Sequence, residues 1–144
     1  MQPHQLHLLW HLLFHRVLLH FGAVDWEAKV WVNGNEVAQH RGGYDPFSCD
    51  ISDSLAADKP SELLVSASDP TDASYQPRGK QIARPHGIWY TPTTGIWQTV
   101  WLETVPAASI ATLKIVPDLD AGKILITVEG RGTRVNDLVD IVLT

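Results

Sequence analysis

An all-β sandwich is the fold class this sequence predicts. Three observations carry it: short apolar runs alternating with period two, turn residues separating them at a spacing of roughly 8–12 residues, and no long helical pattern after residue 15. The chain has 144 residues, enough for one domain, or for one domain and part of a second. Its 44% apolar and 19% charged residues are those of a chain that can bury a core.

Residues 1–15 stand apart. Leu8, Leu9, Leu12 and Leu13, with His7, His11 and His15, follow a helical period, so a short helix is expected there. Three His at i, i+4 and i+8 invite a metal reading. No carboxylate accompanies them, and one straight helix face does not enclose an ion, so no metal site is expected. The Leu-rich run is broken by His and Arg and falls short of the roughly 18 apolar residues of a membrane span, so no membrane partner is expected.

Strands begin at residue 16. Residues 16–21 (RVLLHF) form the first. Residues 26–32 alternate, with Ala28, Val30 and Val32 on one face and Glu27, Lys29 and Trp31 on the other. Asn33-Gly34 then predicts a type I′ hairpin turn, because both positions need positive φ, and residues 36–40 return as the second arm. Gly42-Gly43 marks a bend where a Cβ would clash, packed by Tyr44, Pro46 and Phe47. Residues 47–51 are extended. Residues 52–57 suit a helical turn capped by Ser52 or Asp53. A strand over 62–68 follows.

Residues 69–95 hold four Pro and three Gly and read as one long irregular segment whose Trp89 and Tyr90 argue for function or packing. A strand is expected over 96–103, with Ile96, Val100 and Leu102 on one face. Residues 105–108 read as a linker, and strands are expected over 110–116, 123–128 and 138–143. Trp26, Trp31, Trp97 and Trp101 are read as sandwich core or inter-domain contacts in preference to sugar platforms.

The charge excludes one class of partner. The net charge is -5 with no basic cluster, whereas nucleic acid requires grouped Lys and Arg. The single cysteine, Cys49, allows neither an internal disulfide nor a multi-Cys metal site, and no cofactor is expected.

Four stretches stand in a fixed order: VDWEAKVWVNGNEV at 24–37, HRGGYDPFSCDIS at 40–52, RGKQ at 78–81 and IWYTPTTGIWQTVWLE at 88–103. Together they resemble the sugar-binding domain of family 2 glycoside hydrolases, the group of β-galactosidases, β-glucuronidases and β-mannosidases. The resemblance implies a jelly-roll, galactose-binding-like sandwich over 16–105. It implies that this sandwich is N-terminally incomplete, since family members carry further strands ahead of the one matching RVLLHF. It also implies the start of an immunoglobulin-like sandwich over 108–144.

The family's chemistry is retaining hydrolysis by two Glu carboxyls roughly 5–5.5 Å apart. They sit on a downstream barrel of roughly 250 residues. The resemblance therefore implies a fragment of a β-galactosidase-like enzyme that is inactive by itself, with carbohydrate, a catalytic barrel chain or a second copy as partners. The alternative is a stand-alone carbohydrate-binding or docking module that complements a separate catalytic chain. Asn35-Glu36 matches the Asn-Glu pair of the family's acid/base, but its place in a hairpin excludes it. In galactosidases and glucuronidases an acidic residue six positions before the glycine of the final strand faces the sugar; counting from Gly95 gives Trp89, so that contact does not transfer. Arg78, Lys80, Gln81, Trp89 and Tyr90 are the sugar-facing candidates, polar donors beside flat aromatics that suit a pyranose ring, with bridging between domains as the competing role.

Overall fold

The computed structural model describes residues 15–142, and its strands begin where the apolar alternation begins. They are β1 (His15–Phe21), β2 (Val24–Asp25), β3 (Glu27–Val32), β4 (Asn35–Arg41), β5 (Phe47–Asp50), β6 (Leu63–Ser68), β7 (Gly95–Ile96), β8 (Val100–Pro106), β9 (Ser109–Asp118) and β10 (Lys123–Arg131). The described part of the expected N-terminal helix is His15 alone, and it opens β1; residues 1–14 lie outside the described residues.

Two three-stranded antiparallel sheets build the sandwich, one in the order β5-β1-β8 and the other β4-β3-β6. Period two decides what goes inside. Ala28, Val30 and Val32 of β3 are buried, while Glu27, Lys29 and Trp31 between them are half-buried. They meet Leu19 and Phe21 of β1, with Val24 and Ile51 completing the core. Each fully buried Val, Leu, Ile or Phe among them stabilises the fold by roughly 1.5–3 kcal/mol.

The Asn33-Gly34 turn forms as expected, with φ of 51° and 82°. The Asn33 side chain then does a second job. Its amide donates to the Ser54 carbonyl at 2.7 Å and to Ser61 Oγ at 3.1 Å, and its Oδ1 accepts from the Glu62 backbone N–H at 2.9 Å. One residue thus makes the turn and fastens the 54–62 loop to it.

The helical turn is shorter than expected. It is a single 3-10 turn over Ser52–Ser54, with Ile51 at the N-cap and no side-chain cap. Ser52 is used elsewhere: its Oγ accepts from the Val17 N–H at 2.7 Å and donates to Asp50 Oδ1 at 2.6 Å. Asp53 instead receives two bonds from Arg16 at 2.9 Å, while Arg16 Nε donates to Asp50 at 2.7 Å.

Three further expectations need correction. The strand over 96–103 is two strands. β7 pairs with β2, β8 pairs with β1 through seven residues, and the chain changes partners across 97–99. The four Trp are absent from the core: Trp97 is 51% and Trp101 44% exposed. Leu102 lies opposite Leu19, so its neighbour Trp101, opposite His20, falls on the outer face and stacks on that ring at 4.7 Å. Lastly, residues 138–142 join no strand. β9 and β10 form a two-stranded hairpin with no third strand among the described residues.

Candidate functional site

The bend after β4 and the short β2–β7 pair build one cleft of about 370 Å³. β2 supplies Asp25, held opposite Gly95 by pairing. The bend supplies Tyr44. Thr93, Thr94 and Trp97 flank β7, and Gln81 reaches in from the long irregular segment.

Close approach explains the bend. A Cβ on Gly43 would lie 2.7 Å from Asp25 Oδ1, so only glycine lets the chain pass that carboxyl without displacing it. The Gly42 N–H donates to the Trp26 carbonyl at 2.9 Å, anchoring the other side of the bend. Across the cleft the Trp97 indole N–H donates to the Gly43 carbonyl at 2.7 Å. The Tyr44 ring meets Trp97 edge-on, with centroids 5.7 Å apart and planes at 74°. The two aromatic rings are therefore fixed in orientation, yet both remain more than half exposed.

Gln81 is held from one side only. Its Oε1 accepts from the Thr93 N–H at 2.5 Å and from Thr93 Oγ1 at 3.1 Å. Its amide N–H donors make no hydrogen bond among the described residues. The Asp25 carboxylate accepts none among them either. Its burial, and then the nearby Asp69 carboxylate, raise its pKa above the usual carboxylate value.

Of the sequence candidates, Gln81 lines this cleft. Arg78, Lys80, Trp89 and Tyr90 belong to the same folded segment but lie outside its lining. Main-chain bonds clip that segment together: Tyr90 N–H to the Lys80 carbonyl at 2.8 Å, Ile82 N–H to the Tyr90 carbonyl at 3.2 Å, and Trp89 N–H to the His86 carbonyl at 3.0 Å. Arg78 and Trp89 are half-buried, while Lys80 and Tyr90 are exposed. Glu36, of the excluded Asn-Glu pair, accepts from Gln39 on the exposed β4 surface, away from the cleft.

Sequence reasoning missed Asp25, Tyr44 and Thr93 as cleft residues. The one available signal was positional: Asp25 and Tyr44 each lie beside a break in the strand pattern, where chain crossings expose side chains.

The comparisons with known proteins agree with this architecture. The profile described as glycosyl hydrolases family 2, sugar binding domain, matches residues 9–106, ending where β8 ends. The chain belongs to that family, in its sugar binding domain. A β-galactosidase of Thermoanaerobacter pseudethanolicus is 32% identical over 104 residues, covering 72% of this chain and 13% of that protein. The β-glucuronidase of Canis lupus familiaris is 28% identical over 121 residues, covering 73% of this chain and 18% of its own length. Among solved structures, a Faecalibacterium prausnitzii β-glucuronidase superposes with TM-score 0.53 at 27% identity, covering 83% of this chain and 24% of that one. Bacteroides uniformis β-glucuronidase 3 gives TM-score 0.62 at 21% identity, over 83% and 16% of the two chains, a likeness of fold. The chain thus spans less than a quarter of each of these proteins.

Proposed function

We propose that this chain binds carbohydrate in the cleft between Asp25, Tyr44, Gln81 and Trp97, and acts as the sugar-side sandwich of a glycosidase whose catalytic barrel is a separate unit. The observation that carries the reading is the pairing of unspent polar groups with fixed, exposed rings. The Asp25 carboxylate and the Gln81 amide N–H groups have no hydrogen-bond partner among the described residues, and they line the cleft with Trp97 and Tyr44. A pyranose presents hydroxyls around its edge and C–H groups on its face, which is what such a wall recognises. In this reading Arg78, Lys80, Trp89 and Tyr90 extend the contact along the irregular segment, and residues 108–144 begin an immunoglobulin-like sandwich that continues toward the barrel.

The chemistry of retaining hydrolysis needs two carboxyls facing one anomeric carbon. The described residues form sandwich strands and a hairpin, and the catalytic Glu of this family sit on a barrel. The purified 144-residue chain is therefore expected to bind methyl β-glycosides in saturation-transfer NMR and to leave aryl β-glycosides unhydrolysed. Turnover above blank that copurifies with the chain through two chromatographic steps would overturn the division of labour, and absence of any saturable glycoside signal would overturn the cleft.

A further inference from the structure

We propose that the free edge of β8 is a docking surface for a second copy of this chain, paired with it antiparallel about a two-fold axis through Leu102. The inference uses no residue of the carbohydrate cleft and stands apart from that reading.

β8 and β6 are the end strands of their sheets, and neither has a second neighbour among the described residues. Between them the core lies open. An apolar groove of about 440 Å³ is lined by the buried Leu19, Val32 and Ile51 and by the exposed Leu63, Val100 and Leu102. Leu102 lies opposite Leu19, yet it is 63% exposed. An uncovered apolar patch of this kind marks an interaction surface. The edge also lacks the usual guards against pairing: β8 carries no Lys or Arg, and its Pro stands last, at 106.

The backbone decides the register. The Thr99 carbonyl accepts from the Gly22 N–H, toward β1. Backbone groups alternate sides along an antiparallel strand. Those of Trp101, Glu103 and Val105 therefore turn to β1, and those of Val100, Leu102 and Thr104 turn to the free edge. Centred on Leu102, this edge complements itself: Leu102 faces its own copy and Val100 faces Thr104 of the second copy, each pair exchanging both N–H···O bonds. On the outer face Glu103 then lies opposite Trp101 of the second copy, and like charges do not meet. Other centres do worse. Centring on Glu103 sets the two Glu103 side chains directly opposite one another. Centring on Thr104 brings Pro106, which has no N–H, opposite Leu102. Centring on Trp101 carries Thr104 past Val100, off the end of the partner strand. Self-complementarity is the argument for a second copy, because an isologous contact satisfies the edge with itself and ends there. An axis normal to the sheet also sets both β4-β3-β6 layers on one side, so the two grooves face each other and close together.

The first test is sedimentation velocity of the 144-residue chain over a roughly 100-fold range of concentration, where monomer is expected to give way to dimer. Trp101 lies on the outer face, so its substitutions probe the pairing without opening the core. Trp101→Lys sets a cation opposite Glu103 of the second copy, and Trp101→Glu sets an anion there. The Glu variant is expected to dimerise about 10-fold more weakly than the Lys variant. Cross-linking reads the register in a Cys49→Ser background. Leu102→Cys chains are expected to form disulfide dimers, since facing Cα atoms of a hydrogen-bonded pair lie roughly 5.5 Å apart. Thr104→Cys chains are not, since their thiols stand roughly 13 Å apart along the ladder. A chain monomeric over the whole range overturns the proposal, and protection of the Leu102 amide from exchange in that monomer would assign the edge to another segment of this chain. Assembly that grows past the dimer overturns the two-fold closure. Equal association of the Lys and Glu variants overturns the edge as the contact, and Thr104→Cys linking as readily as Leu102→Cys overturns the register.

Discussion

The Trp97 indole N–H donates to the Gly43 carbonyl at 2.7 Å, joining two residues 54 positions apart. The bond fixes the aromatic wall of the cleft to the bend that passes Asp25. Wall, bend and carboxylate therefore form one run of contacts, and a disturbance at any one of them should reach the others.

Gly43→Ala tests this directly. The added Cβ would stand 2.7 Å from Asp25 Oδ1 and 3.3 Å from its Cγ, so the carboxylate must shift. Overpacking of this sort costs about 1–3 kcal/mol. The expected outcome is a lower urea midpoint together with weakened glycoside binding. A change in stability with binding intact would separate the bend from the cleft.

Asn33 carries a different load. Asn33→Ala removes three side-chain hydrogen bonds and leaves a β-carbon at φ of 51° without the Asn tolerance for it. A loss of about 2 kcal/mol is expected in chemical denaturation. Asn33→Gly keeps the turn and loses only the fastening, so its loss should be smaller. Equal losses would place the whole effect in the fastening.

Acid should act on the fold in two opposed ways. Burial pushes Asp50 up, but hydrogen bonds from Ser52 and Arg16 outweigh it and hold the carboxyl below its usual value; the Arg16 bonds lower Asp53 likewise. A lowered carboxyl gives stability that is present above its unfolded pKa and is lost as pH falls through the folded one. Asp25 is raised, so the stability it withdraws is withdrawn as pH rises past its unfolded value and through its folded one. Thermal melts should thus show Arg16→Met flattening the loss of stability below about pH 4. Asp25→Asn should raise Tm at pH 7 and leave it unchanged at pH 3. The second result would make Asp25 a residue kept at some expense to stability, as binding residues often are.

The β9–β10 hairpin should be the least protected ladder. Leu113, Ile115, Ile124 and Leu125 on it are each more than half exposed, and two strands alone are marginal in water. In hydrogen exchange its amides are expected to exchange well before those of β1 and β3. Equal protection would show that the hairpin is held by something beyond its own pairing.

Much of the fold was legible because its signals are local. Ala28, Val30 and Val32 announced an inward face, and Asn33-Gly34 announced a turn whose positive φ values few other pairs tolerate. The break at Trp97–Thr99 was not legible. Alternation reports which face a side chain takes, and it runs unbroken while the hydrogen-bond partner changes from β2 to β1. The core half of the expectation for the four Trp failed for a related reason: size suggests a core, whereas position in the pleat sends Trp31 and Trp101 outward. The cleft was legible only in Gln81. Asp25 and Tyr44 lie 19 positions apart and line one cleft because Gly43 packs against the Asp25 carboxyl, a placement that no local pattern encodes.

The register of β1 on β8 has a mechanical meaning. His15 lies opposite Pro106 and Phe21 opposite Val100, so the chain enters and leaves this ladder at the same end. Tension applied at those two points loads the pairs one after another, as in a zipper, and each must part before the next is strained. Trp97 lies beyond the seventh pair. A pull on the ends of this ladder is thus absorbed along it before it can reach the aromatic wall of the cleft.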